Sequence, residues 1–152
     1  ITTFSAQNFG ARNYERMRKG YHTSLVLSFA LIGGLSAVLM VFSGPLSRLF
    51  IDDAAISGFT TTIIHFIAPF YAIFSIIENA SGSIRGAGVS FQPMVLTIFG
   101  TVVLRVIWLF AIMPLDPSLE HLLLVYPVTW IITATMFTIY HHSGNWLGRA
   151  TA

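Results

Sequence analysis

The chain has 152 residues and a formal net charge of +2, but charged residues make up only 9% of it while apolar residues make up 55%. A soluble domain is about 25% charged, so there is too little charge here to cover a water-facing surface. No nucleic-acid partner is expected, and the absence of cysteine removes disulfides and thiolate metal sites from consideration.

Four runs lack Asp, Glu, Lys and Arg altogether: residues 20–47, 54–77, 86–104 and 121–148. Each can hold the roughly 20 residues that cross a bilayer core of about 30 Å. The runs predict an all-α, polytopic membrane helix bundle with transmembrane helices near 22–43, 59–82, 93–113 and 120–141. Residues 1–11 read as the end of a fifth helix, stopped by Gly10 near its C-cap. Because the chain opens on Ile-Thr-Thr-Phe without a signal pattern, it is expected to be a fragment that begins inside that helix.

A loop over 10–21 is predicted next. It carries Arg12, Glu15, Arg16, Arg18 and Lys19, and reads as a solvated connector or a short interfacial helix. In helix 22–43, Gly33-Gly34 and Ser36 suggest close helix packing. Ser43-Gly44-Pro45 is expected to end it. Asp52-Asp53 read as N-cap and dipole partners of the following helix rather than as metal ligands.

Helix 59–82 contains His65, Pro69, Tyr71, Glu78 and Asn79. Pro69 predicts a kink near the middle, and His65 reads as a packed, hydrogen-bonded histidine. Glu78 follows an uncharged run, and an ionised carboxylate at that depth needs a partner, water or a proton. The turn after it contains Arg85, Gly86 and Gly88, with Pro93 just inside the next helix, where a missing N–H costs nothing. Gly86-x-Gly88 is not a nucleotide fingerprint, because Phe91 stands at the third glycine position and no strand precedes it. Arg105 lies well inside helix 93–113 and must face the bundle or snorkel. Ser118 reads as the N-cap of helix 120–141, and His141-His142 as interface residues. No catalytic, cofactor or metal-ligating set is found, so no enzyme is expected.

Lys and Arg are distributed unevenly. Arg12, Arg16, Arg18, Lys19, Arg85 and Arg149 fall at one end of the helices, and Arg48 at the other. The positive-inside rule then makes the first end, with the C-terminus, cytoplasmic.

The run Ile84-Arg85-Gly86-x-Gly88-x-Ser90-x-x-Pro93-Met94 resembles the cytoplasmic turn of multidrug and toxic compound extrusion (MATE) transporters. Gln7-Asn8-Phe9-Gly10-Ala11, Arg105-x-x-Trp108 and Gly144-Asn145-Trp146 are similar to other stretches of the same family's C-terminal half. The resemblance implies one lobe of a two-lobe transporter in the plasma membrane, partnered by a missing N-terminal lobe. It also implies efflux of cationic or amphipathic compounds in exchange for protons or sodium. Glu78, Asn79, Tyr71, Pro69 and Arg105 are then the candidate substrate- or cation-coupling residues. Some members of the family carry their acid about a turn earlier than Glu78. A lipid-linked saccharide flippase of the same superfamily and a non-transporting scaffold are the alternatives.

Overall fold

The computed structural model describes residues 1–150, with side chains as far as residue 148, so the Arg149 side chain counted above lies outside the described residues. Six helices follow in order: α1 (Thr2–Gly10), α2 (Tyr14–Phe50), α3 (Ala54–Gly86), α4 (Phe91–Ala111), α5 (Leu119–Ser143) and α6 (Asn145–Ala150). No strand occurs among the described residues. Helices α2 to α5 are each long and apolar enough to cross a bilayer, and the chain is a multi-pass membrane protein. They run up and down, so the start of α2 and the ends of α3 and α5 share one end of the bundle. That end carries the basic cluster and is called the basic end below.

The helices reach beyond the predicted spans, most of all α2. Its 37 residues make a rod of about 55 Å, well over the ~30 Å core. Residues 14–21 are helical rather than a loop. Asn13 caps them by accepting a hydrogen bond from the Arg16 N–H at 3.1 Å, and Glu15 pairs with Lys19 one turn on at 2.7 Å. At the other end Pro45 does not stop the helix but lies within it. Side-chain bonds to α3 on both sides of Pro45 hold these turns helical: Ser43 Oγ meets His65 Nε2 at 3.1 Å, and Ser47 Oγ meets Ser57 Oγ at 2.8 Å. Asp53 caps α3 through the N–H groups of Ala55 and Ile56, and Ser118 caps α5, both as the sequence indicated.

Two helix ends share one piece of backbone chemistry. After α3, the Val89 N–H donates to the Ile84 carbonyl and the Gly88 N–H to that of Arg85, with Gly88 at φ +89°. This is a Schellman cap closed by buried Val89 against buried Ile84. After α1, the Asn13 N–H donates to Asn8 and the Arg12 N–H to Phe9 in the same pattern. Here the left-handed position falls on Arg12, at φ +54°, and not on Gly10, which is the last helical residue.

Helix α3 is the hub. Its lower half, from Ser75 to Ile84, is buried almost throughout, against α1, α2 and α5. The apolar core joins Met17 and Tyr21 of α2, Ile77, Ala80 and Ile84 of α3, and Trp130, Ala134 and Phe137 of α5. Helix α1 approaches through glycines: a Cβ on Gly82 would lie 2.7 Å from Ile1, and one on Gly86 2.5 Å from the Thr2 carbonyl oxygen. Gly33-Gly34, expected to mark close packing, meet nothing within 4 Å. The α2–α3 contact instead follows a polar seam on Ser24, Ser28, Ser43 and Ser47. In α4, Ile98–Val103 is wound as a π-helix, and a Cβ on Gly100 would run into the Thr133 side chain of α5. Such widened turns recur at functional positions.

Candidate functional site

The midpoint of α3 is broken by a single 3-10 turn, Ala68–Phe70, built around Pro69. A proline ring displaces the carbonyl four residues back and removes one N–H donor, so the helix tightens locally rather than continuing. Tyr71 begins the next helical segment. From there Tyr71, Glu78 and Arg85, spaced by sevens, lie on one face of α3 and are all exposed, whereas their neighbours Ile77, Asn79 and Ala80 are buried. The sequence placed Glu78 correctly as an acid inside an apolar helix; its facing comes from the packing.

Glu78 stands eight residues before Gly86, about 12 Å in from the basic end. The ion pairs among the described residues are Lys19–Glu15 and His121–Asp116, so Glu78 and Arg105 do not pair. Arg105 is instead turned across to α5, its guanidinium carbon 4.7 Å from the centre of the Tyr126 ring. Both residues lie about 10 Å from the opposite end of the bundle, Arg105 six residues before Ala111 and Tyr126 seven after Leu119. The side chain therefore reaches sideways and does not snorkel. Its Nε is buried without a hydrogen-bond partner.

Between Glu78 and Arg105 lies a set of aromatic rings that the sequence did not assemble. Trp130 of α5 has ring neighbours on two helices: Tyr71 at 5.6 Å and Phe74 at 5.7 Å from α3, and Tyr126 at 6.0 Å from its own turn. Tyr71, Phe74 and Glu78 fall on adjacent positions of the α3 face, so the carboxylate sits below an aromatic wall. Trp130 itself is buried in the core, so Tyr71, at 42% exposed, is the ring of this set that lies open beside Glu78.

Asn79, grouped with Glu78 among the candidate coupling residues, is buried in the α2–α3 seam. Its carboxamide oxygen accepts from Ser24, and its Nδ2 donates to Ser28 Oγ at 3.0 Å and to the Ser75 carbonyl at 2.8 Å. These bonds tie it to α2 and to the preceding turn of α3. His65 belongs to the same seam, with Nε2 2.8 Å from the Met40 carbonyl and 3.1 Å from Ser43 Oγ, so it is hydrogen-bonded as predicted. At the turn after α3, Arg85 is exposed, Gly86 makes room for α1, Gly88 supplies the positive φ and Pro93 is buried.

The MatE family model matches residues 1–110. The chain belongs to the MatE family. The match takes in α1 to α4, with Tyr71, Glu78, the Gly86–Gly88 turn and Arg105, while Tyr126 and Trp130 lie beyond it. Among curated proteins, the probable multidrug resistance protein YoeA of Bacillus subtilis (strain 168) is 23% identical to this MatE chain over 99 residues. That stretch covers 65% of the chain and 21% of the relative, so the chain spans about a fifth of the length of the protein it matches. No solved structure matches the chain.

Proposed function

We propose that this MatE chain is the C-terminal lobe of a secondary exporter that moves cationic, amphipathic compounds out of the cell in exchange for protons or sodium. Its partner in the membrane is an N-terminal lobe, and it lies in the plasma membrane with the basic end and the C-terminus in the cytoplasm. It is not an enzyme and needs no cofactor beyond the coupling ion. The observation that carries this reading is Glu78, an acid about 12 Å inside the bundle, exposed, without an ion pair among the described residues and below the Tyr71–Phe74–Trp130 rings. An ionised carboxylate left alone at that depth costs several kcal/mol. It therefore takes a proton, a sodium ion or a cationic substrate, and competition among these on one group couples their movements. The name of the Bacillus relative, a probable multidrug resistance protein, agrees with substrates of this class.

A saccharide–lipid flippase needs several free cations facing its cavity, whereas Arg105 is engaged with Tyr126. A scaffold role for Glu78 needs a permanent partner, and Arg105 does not supply one.

The test is Glu78→Gln in the full-length, two-lobed protein. Export of a fluorescent cation from cells and ion-driven uptake into proteoliposomes are measured beside protein yield and unfolding midpoint. Coupled export is lost while yield and midpoint stay at wild-type values. If Glu78→Gln instead lowers yield, and adding Arg105→Gln restores both yield and transport, the residue is a packing device and the proposal fails.

A further inference from the structure

At the basic end, a cleft of about 380 Å³ opens between the first turns of α2, the last turn of α5 and α6. Its floor is apolar and fixed: Met17 and Trp146 are buried, and the Trp146 indole N–H donates to the His141 carbonyl at 3.0 Å. The His141 ring lies stacked between Tyr21, at 4.0 Å, and Trp146, at 5.4 Å. The rim is basic. Arg18 is exposed and makes no hydrogen bond or ion pair among the described residues. His22 and His142 complete the rim: His22 packs edge-on against the Tyr21 ring, and His142 is fixed through its Nδ1 by the Thr138 carbonyl at 2.9 Å. The one acid at the rim, Glu15, is already neutralised by Lys19 at 2.7 Å.

We propose that this cleft holds the phosphate headgroup of an anionic phospholipid. An apolar aromatic floor under the Arg18 guanidinium and the imidazoles of His22 and His142, at the water end of membrane-spanning helices, matches an acyl–glycerol–phosphate boundary in both polarity and charge. Basic pockets between membrane helices take such headgroups through this combination, and tryptophan and tyrosine settle at the same level. The site lies at the far end of α5 from Tyr126, and neither Tyr71 nor Glu78 lines it. It stands independently of which compound is exported.

The experiment follows thermal unfolding of the purified protein in detergent while phosphatidylglycerol, phosphatidylcholine or inorganic phosphate is added. Phosphatidylglycerol raises the midpoint of the wild type above that seen with phosphatidylcholine. Arg18→Gln/His142→Gln loses this extra rise but unfolds at the wild-type midpoint in phosphatidylcholine. If the double variant does not accumulate, Arg18→Gln alone, at an exposed side chain, weakens apparent affinity for phosphatidylglycerol by roughly fivefold. Equal stabilisation by phosphatidylcholine, or a variant that keeps the full phosphatidylglycerol response, overturns the site. Stabilisation by inorganic phosphate to the same extent as by phosphatidylglycerol overturns the lipid assignment, leaving a small-anion site. Because none of these readouts measures export, failure here is distinguishable from failure of the transport proposal.

Discussion

Gly86→Ala tests whether α1 is built onto α3 as closely as described. The added methyl would lie 2.5 Å from the Thr2 carbonyl oxygen, 2.7 Å from Ser5 Cβ and 3.0 Å from the Ala6 nitrogen. Ordinary non-bonded contacts fall near 3.5 to 4.0 Å, so α1 has to withdraw by roughly 1 Å. Two of the three obstacles are backbone, which cannot swing aside as a flexible side chain would. Overpacking of this kind costs about 1–3 kcal/mol. Removing a glycine from a helix returns at most about 1 kcal/mol, and less in a last turn. The net loss is about 1–2 kcal/mol, or about 2 to 8 °C in unfolding midpoint for a protein of this size. Far-UV circular dichroism of the purified protein on heating reads it. Gly33→Ala and Gly34→Ala are the controls, since neither position has an atom within 4 Å of the new methyl, and both should be as stable as wild type or slightly more so. A Gly86→Ala protein that melts with the wild type, or a Gly33→Ala protein that melts equally early, refutes the packing described for α1.

Arg12→Gly removes a side chain from a left-handed residue and should raise the same melting midpoint, reflecting roughly 1 kcal/mol of relieved strain; a fall would mean that the Arg12 side chain stabilises more than its backbone costs. Asn79→Ala breaks bonds to Ser24 and Ser28 across the α2–α3 seam, and at about 0.6–1.7 kcal/mol per interhelical bond should cost about 1–3 kcal/mol. Glu78→Gln, one residue away but exposed, should leave the midpoint unchanged, so equal effects at the two positions would contradict their opposite facing. For topology, single cysteines at Ser90 and Glu120, both exposed and at opposite ends of the bundle, are labelled in intact cells with an impermeant thiol reagent. Position 120 should react and position 90 should not, and the reverse result would invert the assignment of the basic end to the cytoplasm.

Runs without charge predicted the four spans because crossing a bilayer is a demand on composition alone. The ends of α2 escaped that reasoning. Residues 14–21 are charged, yet the Asn13 cap and the Glu15–Lys19 pair keep them helical, and Pro45 is tolerated because bonds from another helix flank it. The site divides in the same way. Glu78 could be read directly, as a carboxylate following a long apolar run, and the Pro69 break from ring chemistry. The aromatic wall could not be read, because Tyr71 and Trp130 are 59 positions apart in sequence and meet only when α3 packs on α5. The facing of Asn79 could not be read for the converse reason: adjacent residues on a helix point about 100° apart, and only the position of α2 shows which of the two faces the seam.

The two sides of α3 also differ in what holds them, and this sets how the bundle can deform. Toward α2 the grip is a row of directional bonds, Ser24 and Ser28 to Asn79, Ser43 to His65, and Ser47 to Ser57 and Thr61. Toward α5, among the described residues, it consists of ring faces and methyl groups with no hydrogen bond across the gap. Directional bonds resist sliding because each loses its geometry within a fraction of an ångström. Stacked rings exchange one contact for another at little cost, as packed helices do in shear motions. The seam therefore ties α2 to α3 against sliding more firmly than the ring contacts tie α3 to α5, and the α3–α5 boundary is the softer of the two.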